Sequence, residues 1–176
     1  MADLDGDSKL DVAVGFSSGE SFRVLLGNGD GTFKPAVTSS SGCGPRSIAV
    51  ANLNGDGTPE LISHSVDWER VTLHLREAGG HFVGLNVVPT ATIPTAIAAA
   101  DFNRDGKQDL AVAQATSVVI VLGNGDRTFG ARTDHETGDV PVALAGSDTN
   151  GDDQLDLVTA NRGGKSVTMP TASPTW

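Results

Sequence analysis

Four stretches of this chain set oxygen-bearing side chains at alternate positions. DLDGDSKLD begins at residue 3, NLNGDGTPE at 52, DFNRDGKQD at 101 and DTNGDDQLD at 148. Numbered from its first residue, each loop carries Asp or Asn at positions 1, 3 and 5. These are Asp3, Asp5 and Asp7; Asn52, Asn54 and Asp56; Asp101, Asn103 and Asp105; and Asp148, Asn150 and Asp152. Position 9 is acidic each time: Asp11, Glu60, Asp109 and Asp156. Position 7 varies (Lys9, Thr58, Lys107, Gln154), as expected of a residue that contributes only its backbone carbonyl. Carboxylates this close repel one another unless a cation neutralises them. Alternate oxygens on a tightly curled loop converge on a point. A hard cation taking six to eight oxygens at about 2.3–2.6 Å suits that arrangement, and Ca²⁺ is the usual one. Zinc does not, because there is no Cys/His cluster with ligand spacing.

The loops are unequal. The first holds four carboxylates and the third and fourth three each, whereas the second holds only Asp56 and Glu60. The reading is therefore up to four Ca²⁺ ions, with the second site the weakest. Glycines at position 4 or 6 (Gly6, Gly55, Gly57, Gly106, Gly151) permit the bend. An EF-hand loop has 12 residues, closes on a Glu and lies between helices. These loops close at position 9 and run into an aliphatic residue (Val12, Leu61, Leu110, Leu157) that opens a strand-like stretch.

The loops sit in a repeat of about 48 residues. Pro45, Pro94 and Pro141 stand seven residues ahead of the second, third and fourth loops, each opening P-x-x-[IL]-A. A glycine turn follows the first and third loops, GNGDGTF at residues 27–33 and GNGDRTF at 123–129, and is degraded to EAGGHF at 77–82. Asn-Gly and Asp-Gly between apolar runs are strong hairpin signals. Each unit reads as four short strands, with no 3.6-residue periodicity of a long helix. Four strands in that length is the size of a propeller blade. The units are placed at about residues 1–44, 45–93, 94–140 and 141–176 of a single domain. Phe33, Phe82 and Phe129, at matching offsets, are expected to wedge between neighbouring blades.

Together these motifs resemble FG-GAP/VCBS-type repeats, such as those of integrin-α propellers and many bacterial secreted or surface proteins. The resemblance spans about residues 3–161. It implies an all-β propeller of seven or so blades in a closed ring, calcium in individual blades, and roles in adhesion, ligand display or scaffolding. About three and a half units are present here. A partial propeller, or one whose ring is completed by self-association of identical chains, is expected, since open sheet edges aggregate.

The formal charge of −10, from 12 Lys and Arg against 22 Asp and Glu, disfavours nucleic acid and anionic membrane surfaces. No run approaches the ~20 apolar residues of a membrane helix. Met1 leads straight into the acidic loop, so no signal peptide is read within this chain, although small calcium loops suit a secreted or cell-surface setting. The single cysteine, Cys43, is read as a bystander thiol. A protein or glycan partner is expected. Carbohydrate binding would draw on Trp68, Trp176, Arg46 and Arg70, none of which recurs in register. The chain could also be an accessory domain of a secreted hydrolase. Catalysis by the chain itself is not expected, because the repeated carboxylates already have metal roles. Asp67, Glu69, Asp134, His135 and Glu136 read as solvated loop residues, and His64, His74 and His81 share no ligand spacing with one another.

Overall fold

The computed structural model describes residues 1–168 apart from 17–18, 42–43, 66–68 and 78–79. Cys43, Asp67, Trp68 and Trp176 lie outside the described residues. Among the described residues every regular element is a strand and none a helix. Four antiparallel sheets follow one another along the chain. The first comprises β1 (Val12–Phe16), β2 (Ser21–Leu25) and β3 (Val37–Ser40). The second comprises β4 (Pro45–Ala51), β5 (Glu60–Ser65), β6 (Arg70–Arg76) and β7 (Phe82–Pro89). The third comprises β8 (Ala96–Ala100), β9 (Asp109–Ala113), β10 (Ser117–Gly123) and β11 (Phe129–Glu136). The fourth comprises β12 (Pro141–Ser147), β13 (Asp156–Asn161) and β14 (Ser166–Thr168). Each acidic loop enters the strand that its aliphatic position 10 had marked.

The inner strands are apolar on both faces, and side-chain alternation distributes those residues between two cores. On β9, Leu110 and Val112 face the second sheet while Ala111 and Ala113 face the fourth. On β10, Val119 and Val121 face the second sheet and Val118 and Ile120 the fourth. Between the first and second sheets, Phe22 and Val24 pack against Leu61 and Phe82. Each sheet is thus glued to the next by its own hydrophobic layer.

Two of the three expected wedges sit in these layers. Phe82 is buried between the first two sheets, and Phe129 is partly buried against the core shared by the second and third. Phe33 departs from the expectation and is 42% exposed. It lies on the first sheet, where no preceding sheet of this chain is available to cover it. The end sheets leave further apolar side chains in solvent: Val14 and Phe16 on β1, and Val142 and Val167 on the fourth sheet.

The two buried histidines are packing residues. His74 meets the Phe22 ring edge-on at 4.9 Å, and its Nε2 lies 2.7 Å from Ser63 Oγ. Burial pushes its pKa down to about 4, so the imidazole is neutral near pH 7. His64 is also buried, and desolvation likewise lowers its pKa.

Candidate metal centres

All four acidic loops adopt one backbone plan. Positions 4 and 6 are left-handed in every copy: Gly6 and Ser8, Gly55 and Gly57, Arg104 and Gly106, Gly151 and Asp153. Where the sequence has no glycine, Ser8 (φ 66°), Arg104 (φ 63°) and Asp153 (φ 62°) take the same conformation. An L-residue adopts it at a cost of about 1–3 kcal/mol, so the loop geometry overrides local preference. The paired reversals curl the chain and turn its amides inward.

The position 1 side chain collects those amides. Asp3 Oδ1 accepts from Gly6 N at 2.7 Å and Oδ2 from Ser8 N at 2.8 Å. Asp101 Oδ2 accepts from Gly106 N at 2.9 Å, and Asp148 accepts from Gly151 N and Asp153 N at 2.7 and 2.9 Å. Position 5 caps the N–H of position 7 in each loop, through Asp7, Asp56, Asp105 and Asp152. Position 3 (Asp5, Asn54, Asn103, Asn150) accepts from the N–H of position 5. Desolvation works to raise the Asp3 carboxyl, but N–H donors from Ser8, Gly6, Asp5 and Asp7 outweigh it and hold it below its ordinary range. The Lys9 side chain, hydrogen-bonded to Asp7, holds that carboxyl down. Backbone N–H donors do the same for Asp105 (from Lys107) and Asp148 (chiefly from Gly151). These carboxyls are therefore anionic at neutral pH.

Position 9 plays a different part. Asp11 is fully buried, its Oδ2 accepting from Leu4 N at 2.7 Å and its Oδ1 from Gly27 N at 2.8 Å. Asp109 repeats this with Phe102 N at 2.9 Å and Gly123 N at 2.8 Å. One carboxylate thus ties the loop to the glycine turn of its own sheet. A Cβ on Gly27 or Gly123 would overlap the carbonyl oxygen of Leu10 or Gln108, so glycine is required there for the turn to approach. In the fourth loop Asp156 Oδ2 accepts from Thr149 N at 3.0 Å and from the Thr149 hydroxyl.

The residue at position 2, which sequence reasoning passed over, links each of the first three loops to a core. Leu4 is buried between the first and second sheets, Leu53 between the second and third, and Phe102 between the third and fourth. In the fourth loop the position is Thr149, exposed and polar, where no following sheet is described. The signal was legible in DLD, NLN, DFN and DTN, which are apolar in the first three copies only.

The loops differ in how their ligands converge. In the first, one carboxylate oxygen each from Asp3, Asp5 and Asp11 lies within 4.8 Å of the others. Two oxygens on opposite sides of one Ca²⁺ stand about 4.6–5.2 Å apart, so the group fits a single ion. Asp7 lies outside that group, with Oδ2 3.0 Å from Lys9 Nζ and 3.9 Å from Lys34 Nζ. Asp105 of the third loop leans similarly on Lys107, at 3.6 Å. Among the described residues the carboxylates of the third and fourth loops do not form such a group, although their backbone plan is the same. Lys9, Thr58, Lys107 and Gln154 stand at position 7 of their loops, as read from the sequence.

The second loop is occupied from outside. Arg127, in the glycine turn of the third sheet, places Nε 2.7 Å from Glu60 Oε1 and Nη2 2.9 Å from Asp56 Oδ2. Glu60 is 3% exposed, and its other oxygen accepts from Leu53 N at 2.8 Å. Asn54 Nδ2 donates to the same Asp56 Oδ2, at 2.9 Å. Sequence reasoning did not find Arg127. The trace it left is a single difference between otherwise identical heptads, GNGDGTF and GNGDRTF.

A family model described as FG-GAP-like repeat matches residues 3–63 and 101–159. The chain belongs to the FG-GAP-like repeat family. Its two matched segments take in the first, second, third and fourth acidic loops. No curated protein matches the sequence. Among solved structures, an Agrocybe aegerita lectin, described as specifically recognising non-reducing terminal N-acetylglucosamine, aligns with TM-score 0.67 and 24% identity over 96% of this chain. The Photorhabdus luminescens Tc holotoxin pore aligns with TM-score 0.53 and 18% identity, over 85% of this chain and 8% of that one. The V. cholerae biofilm matrix protein Bap1 gives 0.51 and 21%, over 90% and 27%. The FG-GAP-like chain spans half the length of the lectin chain it matches. At these identities the likeness is one of fold.

Arg46 and Arg70, the arginines considered for sugar binding, lie on β4 and β6 of the second sheet. Trp68 and Trp176 lie outside the described residues.

Proposed function

We propose that this chain is a non-catalytic, calcium-binding β-propeller repeat module that presents a surface for adhesion or scaffolding outside the cell. The observation that carries the reading is the convergence of Asp3, Asp5 and Asp11 within 4.8 Å on an all-oxygen loop. Calcium acts structurally here. It draws together the position 1, 3, 5 and 9 side chains, and position 9 in turn holds the backbone of the residue that plugs the next core. When bound, the ion supplies charge neutralisation, and the chain supplies the curl. A calorimetric calcium titration tests this. The first loop is expected to be the tightest site, and Asp3→Ala with Asp5→Ala is expected to remove one binding event. Absence of any binding at millimolar calcium would end the reading.

The sheets act as blades of an incomplete ring. The exposed Phe33, Val14 and Phe16 at one end, and Val142 and Val167 at the other, support completion by a second copy or by further repeats. So does the twofold longer lectin chain, half of which this chain matches. The expected result in calcium is a dimer or larger species by light scattering; a monomer at all concentrations would remove self-association. The displayed ligand is a protein or, in the alternative reading as a carbohydrate-binding module, a glycan, and a glycan array decides between them.

A further inference from the structure

We infer that the second loop takes no metal and that Arg127 stands permanently where the ion would sit, as a built-in cation clamping the second sheet to the third. The part concerning metal rests on the calcium reading of the other loops; the clamp itself does not.

The second loop is the poorest in charge, with Asn52 and Asn54 neutral at positions 1 and 3 and only Asp56 and Glu60 anionic. Both of those carboxylates are engaged by one guanidinium, at 2.9 and 2.7 Å. The Asp3 and Asp11 oxygens of the first loop also accept donors, but from backbone N–H groups alone; among the described residues, only in the second loop does a cationic side chain donate to both acids. A calcium ion would have to displace the arginine and leave its guanidinium without either carboxylate. The guanidinium suits the place, being planar, always charged and able to fork between two carboxylates.

Two further observations set this place apart from its counterparts in the other units. The slot it fills in the turn belongs to Gly31 in the first copy, and both residues are left-handed, with φ 70° for Arg127 and 87° for Gly31. Glycine would take that conformation freely, whereas arginine adopts it at a cost of about 1–3 kcal/mol. The acid opposite is also altered. Asp11 and Asp109 reach the backbone N–H of a turn glycine in their own sheet, but the slot matching Gly27 is Arg76 in the second unit. Glu60, one methylene longer, turns its free oxygen to the guanidinium of the next sheet instead. The loop, the turn and the acid differ together, in a direction that exchanges a metal for an arginine.

The test compares Arg127→Gly, Arg127→Gln and Asp56→Asn in the full chain. If the clamp were idle, Arg127→Gly would relieve backbone strain and raise the melting temperature. The expected result is a fall of about 5–10 °C, equal in excess chelator and in calcium, with Arg127→Gln falling at least as far. Adding Glu60→Gln to Arg127→Gln is expected to cost little more than either change alone. Native mass spectrometry should find the same number of bound calcium ions in Asp56→Asn as in the parent. An unchanged or raised melting temperature for Arg127→Gly in chelator would overturn the clamp, whatever the calcium result. Loss of one bound ion in Asp56→Asn would overturn the metal-free second loop. A parent that binds no calcium at all would sink the calcium reading and leave the clamp to be judged by the chelator melts alone.

Discussion

Removing calcium is expected to lower the melting temperature of this protein by about 15–30 °C. A ligand at a hundredfold excess over its Kd stabilises the folded state by about 2.7 kcal/mol per site. With the first, third and fourth loops filled, the combined effect is about 8 kcal/mol. For a chain of this size each kcal/mol moves the midpoint by about 2–4 °C. The loss is comparable to the whole stability of an ordinary domain, about 5–15 kcal/mol. The physical origin lies in the loops. Without the ion, Asp3, Asp5 and Asp11 hold like charges within 4.8 Å of one another, and Asp3 has only loop amides to offset its own. Thermal melts followed by circular dichroism, in calcium, in chelator and in chelator with calcium restored, measure the effect. Superimposable curves would show that no ion supports the fold. The seam between the second and third sheets should be the last to open in chelator, because its charge comes from Arg127.

Asp109→Ala is expected to cost about 2–6 kcal/mol even in chelator. The side chain is fully buried and accepts from Phe102 N at 2.9 Å and Gly123 N at 2.8 Å. Alanine strands both N–H groups, each at about 1–3 kcal/mol. It also loosens Phe102, which is 1% exposed and fills the core between the third and fourth sheets. Asp105→Ala gives the contrast: its carboxylate caps one N–H in an exposed part of the loop, at 2.9 Å, so in chelator it should cost little and in calcium much more. Chemical denaturation of both variants in both conditions separates the two roles. Equal losses for the two in chelator would show that position 9 is no more than another ligand.

Much of the fold could be read from residues close together in the chain. The acidic loops, the glycine turns and the strands between them are local: each signal lies within about ten residues, the acidic loop occurring four times and the glycine turn three, once in degraded form. Repetition strengthened weak patterns, since EAGGHF would not be recognised as a hairpin without GNGDGTF and GNGDRTF. The convergence of Asp3, Asp5 and Asp11 in the first loop was legible for the same reason, because positions 1, 3 and 9 of one loop need no distant partner; that Asp7 turns to Lys9 instead was not.

The remainder depends on which sheet lies beside which. Phe33 and Phe82 occupy matching slots in their units, yet one is 42% exposed and the other buried, because only the second has a sheet in front of it. The left-handed turns at positions 4 and 6 hold for Ser8, Arg104 and Asp153 as for glycine, since the closed loop fixes the backbone and local preference gives way. Above all, Arg127 meets Glu60 across 67 residues of chain. Four acidic curls on an all-strand repeat follow from residues adjacent in the chain; the stacking of the sheets places an arginine from one repeat in the curl of another. A pattern of neighbours in sequence can specify a loop, but charge acts through space, and the cation nearest to Glu60 is set by the packing of two sheets.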